Sequence, residues 1–102
     1  MDVESNVRLL CFAGSLIVHI GHARILSIYA HDQSAICLVN VYDGLNAFGR
    51  MIVSLGSAAT IGTFYPMTKG AKCNEGIYVE GGCPTTITTI EYEPIWTGSD
   101  KE

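Results

Sequence analysis

Ala35-Ile36-Cys37-Leu38-Val39-Asn40-Val41-Tyr42, followed at once by Asp43-Gly44, alternates its side chains residue by residue. Ile36, Leu38, Asn40 and Tyr42 fall on one side, and Cys37, Val39 and Val41 on the other. That alternation describes a β-strand with one face on a core, and Asp-Gly is the turn chemistry that ends it. On the C-terminal side, Arg50 to Leu55 is strand-like and Gly56-Ser57 turns the chain. Ala58 to Tyr65 alternates around Gly62 until Pro66, whose missing N–H cannot join a ladder. Thr68 to Glu75 is expected as a polar loop, Gly76 to Glu80 as a short strand, Gly81-Gly82 as a turn and Thr85 to Tyr92 as the last long strand, ended by Pro94. On the N-terminal side, Asp32-Gln33-Ser34 is a turn. Ala23 to His31 and Ser15 to Ile20 are strands separated by Gly21-His22. Val7 to Phe12 is a further short strand, although Arg8-Leu9-Leu10 also suits a helical turn.

Seven or eight strands at a spacing of roughly ten residues, with turn signals between them, describe an all-β fold. The expectation is an antiparallel β-sandwich or a jelly-roll-like barrel. The 102 residues form one domain (1–102), with a polar N-terminal arm (1–6) and a C-terminal tail (94–102). Val, Ile and Thr number 7, 11 and 8, side chains that pack well on a pleated sheet and lose rotamer freedom on a helix.

Charge narrows the function. Six basic and ten acidic residues leave a formal charge of −4, so no basic excess exists to neutralise phosphates, and a nucleic-acid partner is not expected. No apolar run reaches the roughly 18 residues of a membrane helix, so no membrane partner is expected. Leu9 to Val18 has the look of a signal-peptide core, but Asp2 and Glu4 precede it with only Arg8 basic, against the usual cationic start. The cysteines, 11, 37, 73 and 83, include no C-x-x-C pair of the kind that aims two thiolates at one zinc ion. Free thiols are the expectation, with Cys11 and Cys37 as small buried hydrophobes on strands and a Cys73–Cys83 bridge as the alternative.

No catalytic, cofactor-binding or metal-ligating residue is assigned. His19 and His22, three apart on a strand or across a turn, are expected on opposite faces; the Gly21 turn could reorient them, but no nearby carboxylate completes a metal site. His31-Asp32 lacks a nucleophile on a strained turn. Glu91 and Glu93 share a strand face and read as a charged sheet edge that blocks strand addition. Gly76 and Gly81-Gly82 are hairpin glycines with no helix behind them to make a phosphate loop. Trp96 in the tail and Phe48 in the loop after Gly44 stand out as anchors for a neighbouring chain or as caps on the sandwich.

Ala13-Gly14-Ser15-Leu16, Val41-Tyr42-Asp43-Gly44, the strand from Gly49 to Leu55, Thr63-Phe64-Tyr65-Pro66 and Gly76-Ile77-Tyr78-Val79-Glu80-Gly81-Gly82 occur in that order. The set resembles small virion proteins of tailed bacteriophages of similar length, which share these turn markers. The match runs from about Ala13 to Tyr92; the cysteines and the Trp96 tail depart from it. The resemblance implies a non-enzymatic structural protein of the virion, a capsid decoration or cement protein bound to the assembled head shell. The major capsid protein or other virion proteins would be its partners. A homo-oligomer, with a trimer favoured, and interface residues Phe48, Ile95 and Trp96 complete the expectation. A tail, fibre or head–tail connector component is the alternative within that class, and a carbohydrate-binding sandwich module the alternative outside it.

Overall fold

The computed structural model describes residues 7–31, 37–57 and 62–95. They form eight strands and no helix: β1 (Arg8–Ala13), β2 (Leu16–Ile20), β3 (Ala23–His31), β4 (Cys37–Asp43), β5 (Arg50–Ser57), β6 (Thr63–Cys73), β7 (Gly76–Gly81) and β8 (Ile87–Pro94). All pairing is antiparallel, and it is nested: β1 with β8, β2 with β7, β3 with β6 and β4 with β5. Two further ladders, β3 with β8 and β4 with β7, join these pairs into two four-stranded sheets of order β1-β8-β3-β6 and β2-β7-β4-β5. Eight strands rolled in this nested order make a jelly roll, a two-layer sandwich rather than a closed barrel.

Alternation places the core. Val39 and Val41 of β4, Ile77 and Val79 of β7, Ile25 and Ile28 of β3 and Ile90 of β8 are completely buried between the sheets. Thr86 and Thr88 are buried beside them, as their alternation with Ile87 and Thr89 implies. The Thr88 hydroxyl has no hydrogen-bond partner. A buried hydroxyl without a partner costs about 1–3 kcal/mol. Thr88→Val, which keeps the shape and removes the hydroxyl, is therefore expected to raise unfolding free energy by about 1 kcal/mol in urea titration; a loss of stability would contradict this.

Three strand readings are corrected. Pro66 does not stop its strand, and Thr68 to Cys73 is not a loop: β6 runs through both. It is an edge strand, where a missing N–H facing outward costs no ladder bond. Between the pairs Ser27↔Pro66 and Ile25↔Ala71, residues 67–70 bulge out, and Gly70 takes the left-handed φ of +77° that this bulge requires. The same irregularity shifts β3, so Ile25 and Ile28, three apart, both face inward and Ser27 between them faces out. Glu91 and Glu93 do share a face, but β8 is a central strand, so they guard no edge. Glu91 instead accepts a hydrogen bond from the Ser27 hydroxyl at 3.1 Å.

The cysteine expectation also changes. Cys37, at the start of β4, is bonded to Cys83 in the β7–β8 turn, with the Cα atoms 6.0 Å apart. Cys83 therefore does not pair with Cys73, which is a free buried thiol, and Cys11 is exposed on the outer face of β1 rather than in the core. Cys37 and Cys83 meet because the antiparallel β4–β7 ladder brings the start of one strand to the end of the other, where the Gly82 N–H donates to the Leu38 carbonyl at 2.7 Å.

Candidate interaction surface

The two ends of the sandwich differ. At one end the β1–β2 and β7–β8 turns meet near the disulfide: the Gly14 N–H donates to the Thr86 carbonyl at 2.9 Å, and the Gly81 N–H to the Ser15 hydroxyl at 3.0 Å. At the other end the β2–β3, β4–β5 and β6–β7 turns are bonded together. The Gly21 N–H donates to the Glu75 carbonyl at 2.9 Å, and the Gly44 N–H to the Gly76 carbonyl at 3.1 Å.

Asp43 is the centre of this second end. Its side chain is buried, and its oxygens accept the Asn74 N–H at 3.0 Å and the Glu75 N–H at 2.9 Å. Arg50 lies 3.4 Å from it, exposed, as a weak ion pair. Burial opposes the Asp43 charge, but the Glu75, Asn74 and Gly76 amides, with Arg50, outweigh it and hold the carboxyl below its ordinary value of 3.8. Asp43 thus ties the β4–β5 loop to the β6–β7 turn. Gly76 completes the packing: a Cβ there would sit 2.5 Å from the His19 carbonyl oxygen and 2.8 Å from Leu45 Cδ2.

On this braced support the loop from Gly44 to Gly49 presents Phe48. The Phe48 N–H donates to Asn46 Oδ1 at 2.9 Å and the Gly49 N–H to the Asn46 carbonyl at 3.3 Å, a local turn built by the asparagine. The Phe48 side chain is 96% exposed. A phenylalanine left wholly in water on a hydrogen-bonded loop forgoes about 2–3 kcal/mol that burial would supply. It does not cap the sandwich. Leu45 on the same loop and Ile20, 70% exposed at the end of β2, add apolar surface at this end.

Ile95 lies there too, half-buried, its N–H on the His22 carbonyl at 3.0 Å. Trp96 lies outside the described residues. Arg8, His19, Ile20, Gly21, His22, Pro94 and Ile95 line a cleft of about 460 Å³ beside this apolar patch. His19 and His22, expected to diverge, therefore converge, because the Gly21 turn carries His22 back over the strand end. Spacing on a regular strand gave no sign of this. Among the described residues no group of three or more His, Cys, Asp or Glu side chains gathers to hold a metal ion. His31 stacks on Tyr29 at 6.3 Å between ring centroids; Asp32 lies outside the described residues.

The outer sheet faces differ in polarity. On β2-β7-β4-β5, Glu80 accepts from the Tyr42 hydroxyl at 3.0 Å and the Asn40 amide at 3.2 Å, and Ser54 donates to Asn40 at 2.6 Å. Burial, followed by the hydrogen bond and charge of Glu80, raises the Tyr42 phenol. This network bonds to itself. On β1-β8-β3-β6, the register aligns Cys11, Thr89, Tyr29 and Phe64 in one row across the sheet, with Leu9 and Ile87 beside it. Leu9 and Phe64 are 70% and 61% exposed.

No protein-family model, no curated protein and no solved structure matches the chain.

Proposed function

We propose that the protein is a non-enzymatic structural protein of a tailed-phage virion, a decoration protein that seats the Phe48 end of the sandwich on the assembled head shell. The observation that carries the interaction reading is Phe48: an aromatic side chain almost wholly in water, on a loop held by Asn46 and braced through Asp43. Aromatic anchors of this kind dominate protein interfaces, and a preformed loop loses little entropy on docking. The order of turn motifs from Ala13 to Tyr92 supports the virion setting. The disulfide suits a particle that leaves the reducing cell interior. In this reading the partner is the major capsid protein, the assembly is a homotrimer, and Ile95, at the same end as Phe48, extends the contact.

The test is binding of the purified protein to emptied phage heads, followed by sedimentation and mass-spectrometric stoichiometry against the major capsid protein. Phe48→Ala is expected to leave the urea midpoint unchanged and to weaken head binding by about 30-fold, the effect of losing an anchor of about 2 kcal/mol. Wild-type protein that fails to bind heads overturns the decoration reading. Binding that Phe48→Ala leaves intact overturns the choice of surface. A copy number of a few per hundred capsid subunits would assign the chain to the tail or connector instead.

One observation favours a second reading, a carbohydrate-binding module. Tyr29 and Phe64 are paired neighbours on the open outer face of β3 and β6, exposed as a stacking platform for a sugar ring would be. Glycan-array binding that Phe64→Ala abolishes would support it.

A further inference from the structure

The cleft between the ends of β1, β2 and β8 shares Ile20 and Ile95 with the apolar surface beside Phe48, but neither reading uses its polar lining. Its walls are of two kinds. Arg8, His19 and His22 supply one permanent cation and two imidazoles, while Ile20, Pro94 and Ile95 supply aliphatic surface. Arg8 enters because it continues the inward-facing set of β1, two residues before Leu10, and stands opposite Tyr92. His19 packs its ring 5.7 Å from that of Tyr92.

Arg8 and a ring nitrogen of His22 stand without polar partners among the described residues. Among the described residues the salt bridge present joins Arg50 to Asp43, and Arg8 forms none. His22 Nδ1 is buried with no hydrogen-bond partner. The backbone of the turn, in contrast, is already bonded: the Gly21 N–H to Glu75 and the His22 carbonyl to Ile95. A guanidinium and two imidazoles with no lining carboxylate, in a chain of net charge −4, make a local positive site on an acidic molecule.

We propose that this cleft binds an organic carboxylate, its oxygens on Arg8 and the two imidazoles and its aliphatic body along Ile20, Pro94 and Ile95. A single permanent cation matches a single negative charge, and the planar guanidinium fits the two carboxylate oxygens side by side. The apolar walls favour an acid with a short branched chain over an inorganic anion. The cleft volume is within the range of small-ligand sites. Two sources carry this chemistry: a free aliphatic acid, and the C-terminal carboxylate of a chain ending in an aliphatic residue.

The experiment is an NMR titration of the full chain at pH 7, following the imidazole signals of His19 and His22 and the amides of Gly21 and Ile95. The probes are 4-methylvalerate, its neutral amide, and a pentapeptide ending in Leu with either a free or an amidated C-terminus. The acid is expected to give saturating shifts confined to these residues, with the amide at least about tenfold weaker. Arg8→Gln, at an exposed position that leaves the amide spectrum folded, is expected to weaken the acid by at least about tenfold, and His22→Gln by less. A free-terminus peptide that binds more tightly than the acid identifies a chain end as the ligand. Equal binding identifies the free acid. Shifts that do not saturate, that spread over other surfaces, or that persist equally with the amide or in Arg8→Gln overturn the proposal.

Discussion

Reduction of the Cys37–Cys83 bond, or its replacement in a Cys37→Ala/Cys83→Ala variant, is expected to lower unfolding free energy by about 4 kcal/mol, the chain-entropy value for a loop of this size. The bond spans 46 positions, from the start of β4 to the β7–β8 turn, so the unfolded chain loses a large closed loop when it is cut. Domains of this size hold about 5–15 kcal/mol in total, so the loss takes a large share. Urea titration with and without reductant reads it as a lower midpoint, with an altered slope because the reduced unfolded state is more expanded. Thiol counting supplies the control. Unfolded, unreduced protein should show two thiols, Cys11 and Cys73. Native protein should show rapid labelling at Cys11 alone, because burial, with Asp43 adding to it and Arg50 opposing, pushes the Cys73 thiol up to about 12. Four reactive thiols in the unreduced, unfolded chain would refute the bridge.

Asp43→Ala is expected to cost roughly 2–3 kcal/mol, because it removes the buried, charged acceptor of the Asn74 and Glu75 amides and leaves the turns to find new partners. The same carboxylate gives stability a pH dependence of known sign. Its native pKa lies below the ordinary 3.8, so the native state favours the charged form. The stability it contributes is complete above that ordinary value and is lost as pH falls through it toward the lowered native value. Asp43→Asn should remove this part of the acid sensitivity. Urea midpoints measured from pH 6 down to pH 3 on wild type and Asp43→Asn check it; parallel profiles would show that Asp43 does not carry the effect. Asp43→Ala should also reduce head binding beyond its effect on folding, since the Phe48 loop loses its tie to the β6–β7 turn.

These two residues mark where sequence reading stops. Asp43 reads in one dimension as turn chemistry after a strand, and so it is, yet its main work is to bond the amides of Asn74 and Glu75, more than thirty positions away. Cys37 reads as a small hydrophobe on a buried face, and it is buried, but its partner depends on which strands pair. Phe48 stands out in the sequence as a large apolar side chain in a Gly-bounded loop; its exposure follows only from the direction in which the braced loop points. The convergence of His19, His22 and Arg8 has no spacing signature at all, because it arises from a turn and from the end of a strand in the opposite sheet.

Local chemistry specifies the strands. Period-two alternation, β-branched residues and the Gly and Asp punctuation act over a few residues, so the all-β class, a rhythm of seven or eight strands and the grouping of Val39 with Val41 on one strand face are legible before any folding, while which face is buried is decided by pairing. Pairing is not local. The nested order β1-β8-β3-β6 over β2-β7-β4-β5 is chosen by which faces bury together, and a bulge that shifts one register moves Ile28 into the core while Ser27 turns out. From that pairing follow the disulfide, the clamp on the Phe48 loop and the cationic cleft. Each joins residues that meet because two sheets close over one core, which no short stretch of chain contains.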